Sequence, residues 1–306
     1  MTIAVVGSTN IDLAIRVPHI CAKNETVIGT GSYEIFGGGK GANQAASVAA
    51  AGAKANFISK VGDDAFGEQS MKGLIDGGVD CSYVIRDANS STGLAAILVD
   101  DNGDNAIAVA PGANGQLTTQ DITAAEAAIA DASHLIVQLE VPLDTVRHAI
   151  KIAAKHGTSV IFNPAPAPAP GEDFGPVTYF TPNEVEAASL SGIAADNERS
   201  LDAITDTFFD RGVENVIITL GARGCFVRSR DERLFIDPYK VDAVDTTGAG
   251  DTFNGFFGAA LSRGEQLGKA AKYACAAAAL AVTRPGARTN LPTHDEVIEF
   301  MGRMAR

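Results

Sequence analysis

Short β-branched runs alternate with amphipathic stretches along most of the chain. Ile3–Val6, Asn56–Val61, His134–Leu139, Ser159–Phe162 and Val216–Leu220 are the apolar runs expected of buried strands. Between them, apolar positions recur at helical spacing over Gly41–Ala51, Ala65–Asp76, Thr119–Ala130, Pro142–His156 and Asn197–Arg211, several opened by early-helix residues such as Pro142. The alternation predicts an α/β fold, a three-layer αβα sandwich around a mainly parallel central sheet.

Two segments break this rhythm. Ile11, Leu13, Ile15 and Val17 alternate with Asp12, Ala14 and Arg16, as in a strand with one dry face. Ala95–Val99 and Ala106–Ala110 flank DDNGDN, whose Asn102-Gly103 pair suits a tight hairpin turn. Together they predict a small β-sheet lid, built from about residues 10–35 and 90–110 of a single domain spanning 1–306. An uncovered sheet face is an association surface, so a homodimer through the lid is expected. Asp100, Asn102 and Asp104 mimic the start of a calcium loop, but Asn105 stands at the required Gly and Pro111 at the bidentate Glu, so a turn is preferred. The PAPAPAPG tract over 164–171 has the composition of a stiff linker. Because a strand enters it and a strand-helix pattern resumes at VTYFTPNEVE, it reads as a loop inside one domain.

Composition narrows the class. The chain has 306 residues, 46% of them apolar, enough for a sizeable core. Acidic residues outnumber basic ones by 37 to 24, a formal charge of −13, and Lys and Arg are nowhere gathered, which argues against nucleic acid as a partner. Cys21, Cys81, Cys225 and Cys275 are far apart without a CxxC pair, as expected of reduced thiols in a cytosol. The longest apolar run, Tyr273–Val282, is too short for a bilayer, and no basic leader precedes Ile3, so a cytoplasmic protein without membrane contact is expected. His19, His134, His148, His156 and His294 have no metal-site or triad spacing.

Candidate chemistry is written in DTTGAGDTFNG, Asp245–Gly255. Gly248, Ala249 and Gly250 allow a tight turn with free N–H groups, and Phe253, Phe256 and Phe257 announce a following helix. A helix N-terminus of this kind can stabilise a transferring phosphoryl group, leaving Asp251 as a base for an attacking alcohol. Taken alone, a GxGD turn reads instead as a helix-capping carboxylate. A second Gly-rich cluster, FGGGKGANQAA over Phe36–Ala46, is no Walker A loop, because Gly41 follows Lys40 where Ser or Thr is needed. Gly37 to Ala42 satisfies a loose GxGxxA, but no clear strand leads into it and it lies well past the first strand. Close approach of backbone to a polyol explains these glycines better than a dinucleotide does.

The two clusters together resemble the signatures of the ribokinase-like (PfkB) carbohydrate kinases. Between and around them GSTNID, VGDDAFG, VQLEVP, NPAPA, TPNEVE, TLGARG and AVTRPGA fall in family order, so the likeness covers nearly the whole chain. It implies an ATP-dependent sugar kinase, with D-ribose phosphorylated at its 5-hydroxyl. Asn10, Asp12, Gly39, Lys40, Gly41, Ala42, Asn43 and Glu140 would then line the sugar pocket. Asn183, Thr219, Gly221, Arg223, Gly224, Gly250 and Cys275 would border the nucleotide, and Glu186 with Asn183 would place Mg2+ through water. Gly248, Ala249 and Gly250 would form the anion hole and Asp251 the base. An activating K+ is also implied, held by the Asp245 carboxylate, the carbonyls of Thr247, Ala281, Arg284 and Gly286, and the Asn290 side chain. The chain departs from the family pattern at AKNETV (Ala22–Val27), where PGET is usual, at Cys275, where a polar residue often meets adenine, and at Asn290, where Ser is expected. Competing readings are a family kinase for deoxyribose, fructose or pseudouridine, a Rossmann-type NAD-dependent dehydrogenase using the Gly37–Ala42 turn, and a silent sugar-binding protein.

Overall fold

A computed structural model describes residues 1–169, 171–288 and 290–304. Along the chain come β1 (Thr2–Val6), β2 (Asn10–Arg16), β3 (Glu34–Gly38), α1 (Lys40–Ala50), β4 (Lys54–Gly62), α2 (Ala65–Asp76), β5 (Val79–Asp87), β6 (Gly93–Val99) and β7 (Asn105–Ala110). There follow α3 (Thr119–Ala124), α4 (Glu126–Ala130), β8 (His134–Val137), α5 (Leu143–His156), β9 (Ser159–Phe162), β10 (Tyr179–Phe180), α6 (Glu184–Ser191) and α7 (Glu198–Phe209). The chain continues with β11 (Asn215–Thr219), β12 (Cys225–Arg228), β13 (Arg233–Ile236), α8 (Ala249–Ser262), α9 (Leu267–Ala281) and α10 (His294–Met304). Among the described residues, no helix is long and apolar enough to cross a membrane.

A nine-stranded sheet has the order β13-β12-β11-β10-β9-β8-β1-β4-β5. Every pairing from β11 to β5 is parallel, and only β12 is reversed, antiparallel to both β11 and β13. The alternation of side chains along β1 shows why both faces are dry. Ile3 and Val5 enter an apolar layer with α1, α8, α9 and α10, while Ala4 and Val6 enter the opposite one with α3 to α7. The predicted three-layer sandwich is therefore present, with the small separate sheet beside it.

That second sheet has the order β3-β2-β6-β7. Its hairpin turn is closed by Asp100, whose Oδ1 accepts from the N–H groups of Asn102 (2.9 Å) and Asp104 (3.0 Å), with Gly103 at φ 86°. The residues that mimic a calcium loop thus serve the turn. β3 runs on to Gly38, past the residue 35 limit expected from the alternation, because Gly37 and Gly38 have no side chains to signal a strand face. The predicted helix over 119–130 breaks at Ala125 (φ −97°, ψ 11°), and α3 and α4 separately bury Ile122 and Ile129. β8 ends at Val137, earlier than Leu139, because the Leu139 N–H turns away to the Ala165 carbonyl at 2.9 Å. The Pro-Ala tract thereby packs back on the sheet end; its Pro170 lies outside the described residues.

Close contact between α1 and α8 brings the N-terminal turns of the two helices together. A Cβ on Gly255 of α8 would lie 2.8 Å from the Val48 nitrogen and 2.9 Å from the Gln44 carbonyl oxygen of α1. Only glycine allows this approach. Gly255→Ala is expected to cost about 1–3 kcal/mol through overpacking, read as a lower urea midpoint at unchanged slope. An unaltered midpoint would show that the helices can separate freely.

Candidate active site

In an open parallel sheet, ligands bind beyond the carboxyl ends of the strands, where the strand order reverses. Here the chain builds from β1 outward to β4 and β5, then returns to β8 on the other side of β1. The crevice between β1 and β8 is that reversal point. Ser8, just past β1, donates from Oγ to Glu140 Oε2 at 2.6 Å, joining the two strand ends. The first N–H of α1, from Lys40, donates to the same carboxylate oxygen at 2.9 Å, so the helix N-terminus faces an anion. Gly39 enters α1 at φ 88°, and a Cβ on Gly41 would lie 2.5 Å from the Ser8 nitrogen. These two positions require glycine for the chain to pass so close.

From the other side comes α8, whose cap Gly248 is left-handed at φ 73°. Among the described residues, the N–H groups of Gly250 and Asp251 in its first turn have no hydrogen-bond partner. The Asp251 carboxylate is buried and held at both oxygens. Asn43 Nδ2 donates to Oδ2 at 3.0 Å and Gln44 Nε2 donates to Oδ1 at 2.9 Å. Gln44 is itself set by Gln138, which donates to its Oε1 at 2.6 Å, and Gln44 Nε2 also reaches Asn163 Oδ1 at 3.1 Å. Gln44, Gln138 and Asn163 escape a reading of the sequence, although they stand inside GGGKGANQA, VQLEVP and NPAPA. Another residue missed in this way, Asn114, donates to Asn10 Oδ1 at 2.7 Å and so orients it. Asn43 Oδ1 is buried without a partner among the described residues, an acceptor suited to a hydroxyl-bearing ligand.

Charge is concentrated here. Burial pushes Asp251 upward, against the opposing pull of Lys40, Asn43 and Gln44. Burial also raises Asp12 to about 6, with Glu140 adding to the shift and Arg288 opposing it. Lys40 loses some basicity to burial, yet the carboxylates of Asp251, Glu140 and Glu186 leave its net shift upward. Glu186 is raised by burial, against its bond from the Asn183 N–H and the Lys40 charge.

Two cavities meet at the α8 turn. The smaller, about 170 Å³, is lined by Lys40, Asn183, Glu186, Gly248 and Asp251. The larger, about 450 Å³, is lined by Gly221, Gly224, Tyr239, Phe253, Cys275 and their neighbours; Thr219, Thr246, Ala249 and Gly250 border both. A mainly apolar slot opening onto a polar chamber suits a flat base carrying phosphates. Arg223 does not line either cavity; its guanidinium pairs with Glu184. Asn183 and Glu186 form a reciprocal capping box at the start of α6, at 2.8 and 2.9 Å. Cys275 lies 3.4 Å from Cys225, sulfur to sulfur.

Behind the turn, Asp245 accepts from the N–H groups of Thr247 and Gly286, each at 2.9 Å, tying the α8 entry to the loop after α9. Ala281 ends α9 and Arg284 lies in the loop after it, where its guanidinium pairs with Glu296 at 2.6 Å. Asn290 is exposed and its Nδ2 donates to the Pro285 carbonyl at 3.1 Å. No cluster of three or more His, Cys, Asp or Glu placed to hold a metal occurs among the described residues.

A family model described as pfkB family carbohydrate kinase matches residues 2–294. The chain is 40% identical over 301 residues to the ribokinase of Haemophilus influenzae, covering 98% of each. It is 35% identical over 304 residues to a deoxyribokinase of Salmonella typhi, covering 98% of this chain and 99% of that one. The structure of Arabidopsis thaliana ribokinase complexed with ribose and ATP superposes with a TM-score of 0.90 at 28% identity, covering 98% of both chains.

The crowding of acidic groups predicts an unusual titration. Carbon-detected NMR of labelled aspartate should find Asp12 titrating at about 6, and Glu140→Gln should bring it down by removing a neighbouring negative charge. A value near the ordinary 3.8 would contradict the burial of Asp12.

Proposed function

The chain belongs to the pfkB family of carbohydrate kinases, and from that premise we propose that it transfers the γ-phosphoryl group of ATP to the 5-hydroxyl of D-ribose. That it is a sugar kinase follows from the family; the particular sugar and the residue roles are our reading. The observation that carries it is Asp251, buried in the first turn of α8 next to unpartnered backbone N–H groups.

Asp251 acts as the base. Its oxygens are aimed by Asn43 and Gln44, and burial raises its proton affinity above that of an ordinary carboxylate, as a base for an alcohol needs. As the sugar oxygen attacks in line, its proton passes to Asp251 and the bond from the γ-phosphorus to the ADP oxygen breaks. Gly248 and Gly250, with Asp251 itself, offer backbone N–H groups to the transferring phosphoryl, whereas the expected Ala249 N–H is bonded to the Thr246 carbonyl at 3.2 Å; Lys40 lines the same chamber with its ammonium. The base of ATP occupies the larger cavity against Gly221, Gly224 and Cys275, with Thr219 at the junction; Arg223 stands outside that cavity, paired with Glu184, and is assigned no contact with the nucleotide. Asn10 and Asp12 accept from vicinal sugar hydroxyls, and Gly39, Gly41, Ala42, Asn43 and Glu140 complete that wall. Glu186 and Asn183 would position hydrated Mg2+, which neutralises phosphate charge when bound. Asp245, the carbonyls of Thr247, Ala281, Arg284 and Gly286, and Asn290 would hold K+, placing positive charge behind the anion hole.

Several features support ribose over its deoxy analogue. Asp12 beside Asn10 offers enough acceptors for two hydroxyls, and the Haemophilus influenzae ribokinase shares 40% identity with the chain where the Salmonella typhi deoxyribokinase shares 35%. The lid presents Ile107 and Val109 of β7 to solvent at 57% and 59% exposure, a face that a second copy of the chain would cover in a homodimer. A cytoplasmic location agrees with the ATP requirement and free cysteines.

A coupled ADP-release assay over a panel of sugars and nucleosides tests the proposal. D-Ribose should exceed 2-deoxy-D-ribose in kcat/KM by on the order of 10- to 100-fold, because loss of one hydroxyl leaves a buried carboxylate oxygen short of a donor. Equal or better use of the deoxy sugar, or of a nucleoside, would transfer the assignment to that substrate. Asp251→Asn should lower kcat by about 10²–10⁴ or more while ATP and sugar affinities stay within about tenfold. Near-normal turnover in that variant would remove Asp251 from the mechanism. Replacing potassium by sodium should slow the wild-type enzyme; equal rates in the two salts would dismiss the cation site.

A further inference from the structure

Two adjacent glycines of β3 have opposite neighbours. A Cβ on Gly38 would overlap the Asp12 carboxylate, and a Cβ on Gly37 would overlap the Arg288 guanidinium. Successive residues of a strand face opposite sides, so Asp12 and Arg288 lie against the two faces of the same strand end. The register agrees: Asn10 is opposite Gly38 and Asp12 is opposite Phe36, which places the side chains at 10 and 12 on the Gly38 face. The next glycine, Gly39, is the cap of α1, from which Lys40 and Asn43 project. Whatever holds Gly37 therefore holds the start of the proposed sugar-binding wall.

Arg288 is an unusual side chain to find there. Its Nη2 donates to Ser70 Oγ of α2 at 3.2 Å, Nη1 is buried without a partner among the described residues, and it forms no ion pair within 4.0 Å with another described residue. Burial draws it down to about 10, with Asp12 and Cys81 as the groups that oppose the shift. Burying a guanidinium unpaired is costly, and such an arrangement persists where the charge or the fit has a use. The chain that delivers Arg288 is the same loop whose Gly286 N–H binds Asp245 behind the anion hole.

Resting on the sugar-kinase reading above, we propose that Arg288 is a positioning residue: its guanidinium wedges the lid-root strand β3 against α2, holding Asp12 and the α1 N-terminus in their sugar-binding arrangement and linking that wall to the loop behind the anion hole. The guanidinium acts on sugar affinity through Gly37 and Asp12, without touching the phosphoryl group. Its charge also favours ionised Asp12. Among the described residues, Arg288 is the charge opposing burial, Glu140 and Asp251, all of which raise the Asp12 carboxyl.

The test combines kinetics with a suppressor. In Arg288→Met, KM for D-ribose should rise about 10- to 100-fold, with KM for ATP and kcat changed less than about threefold. The acid limb of kcat/KM for ribose should move to higher pH in Arg288→Met and stay near the wild-type position in Arg288→Lys, which keeps the charge. Gly37→Ala should reproduce the high sugar KM, since the new methyl displaces the guanidinium, but should add little in an Arg288→Ala background. If Arg288→Met does not melt cooperatively, Arg288→Lys and the Gly37 pair carry the measurement. Unchanged ribose KM in Arg288→Met, or a Gly37→Ala effect that adds in full to Arg288→Ala, overturns the proposal while leaving the kinase reading intact. A wild-type chain inactive on the whole panel overturns the kinase reading and this one with it.

Discussion

Burying several carboxylates around one ammonium is the constraint on which the rest of the site depends. Asp12, Glu140, Asp251 and Glu186 are each drawn into the crevice, and Lys40 is the cation that Asp251 and Glu186 both feel. Unpaired, such groups would take up protons or unfold the site. The structure meets the cost with fixed donors: two amides on Asp251, a hydroxyl and a helix N–H on Glu140, and a capping N–H on Glu186. The result is an acidic pocket in which burial pushes the proton affinities of Asp12, Asp251 and Glu186 upward, which is the condition a base for an alcohol requires.

Holding those donors in place demands backbone contacts that ordinary side chains would prevent. Gly255 lets α8 lie on α1, and this contact is what puts Asn43 and Gln44 against Asp251. Gly41 lets α1 start against the end of β1, so that its first N–H reaches Glu140. The geometry around Asp251 is thus set by packing between rigid elements, and the loops contribute mainly the side proposed for the nucleotide.

The sugar side is divided differently. Asn10 and Asp12 belong to the small sheet, whereas Lys40, Asn43 and Asp251 belong to helices of the main body. A pocket shared between two sheets can open by moving one of them. Substrate affinity then depends on how firmly the lid root is braced, and β3 with its glycines is the joint where small sheet and main body connect.

Much was legible in the sequence because it is local. β-branched runs, helical periodicity and the Gly-rich turns before α1 and α8 determined the layer architecture, the two helix starts that meet at the crevice, and the presence of Asp251 in the first turn of one of them. Capping boxes such as Asn183 with Glu186 can also be read locally, from spacing alone. What only the tertiary structure decided are contacts between residues far apart in the chain. Gln44 to Asp251 spans 207 positions and Asn114 to Asn10 spans 104, distances over which no periodic signal survives. The strand limits of β3 and β8 were likewise set by partners, through glycines without side chains in one case and the pull of Ala165 on Leu139 in the other. Arg288 belongs to none of the motifs read from the sequence; its packing against Gly37 exists only because the loop after α9 folds back across the lid root, a consequence of long-range packing that composition and pattern do not encode.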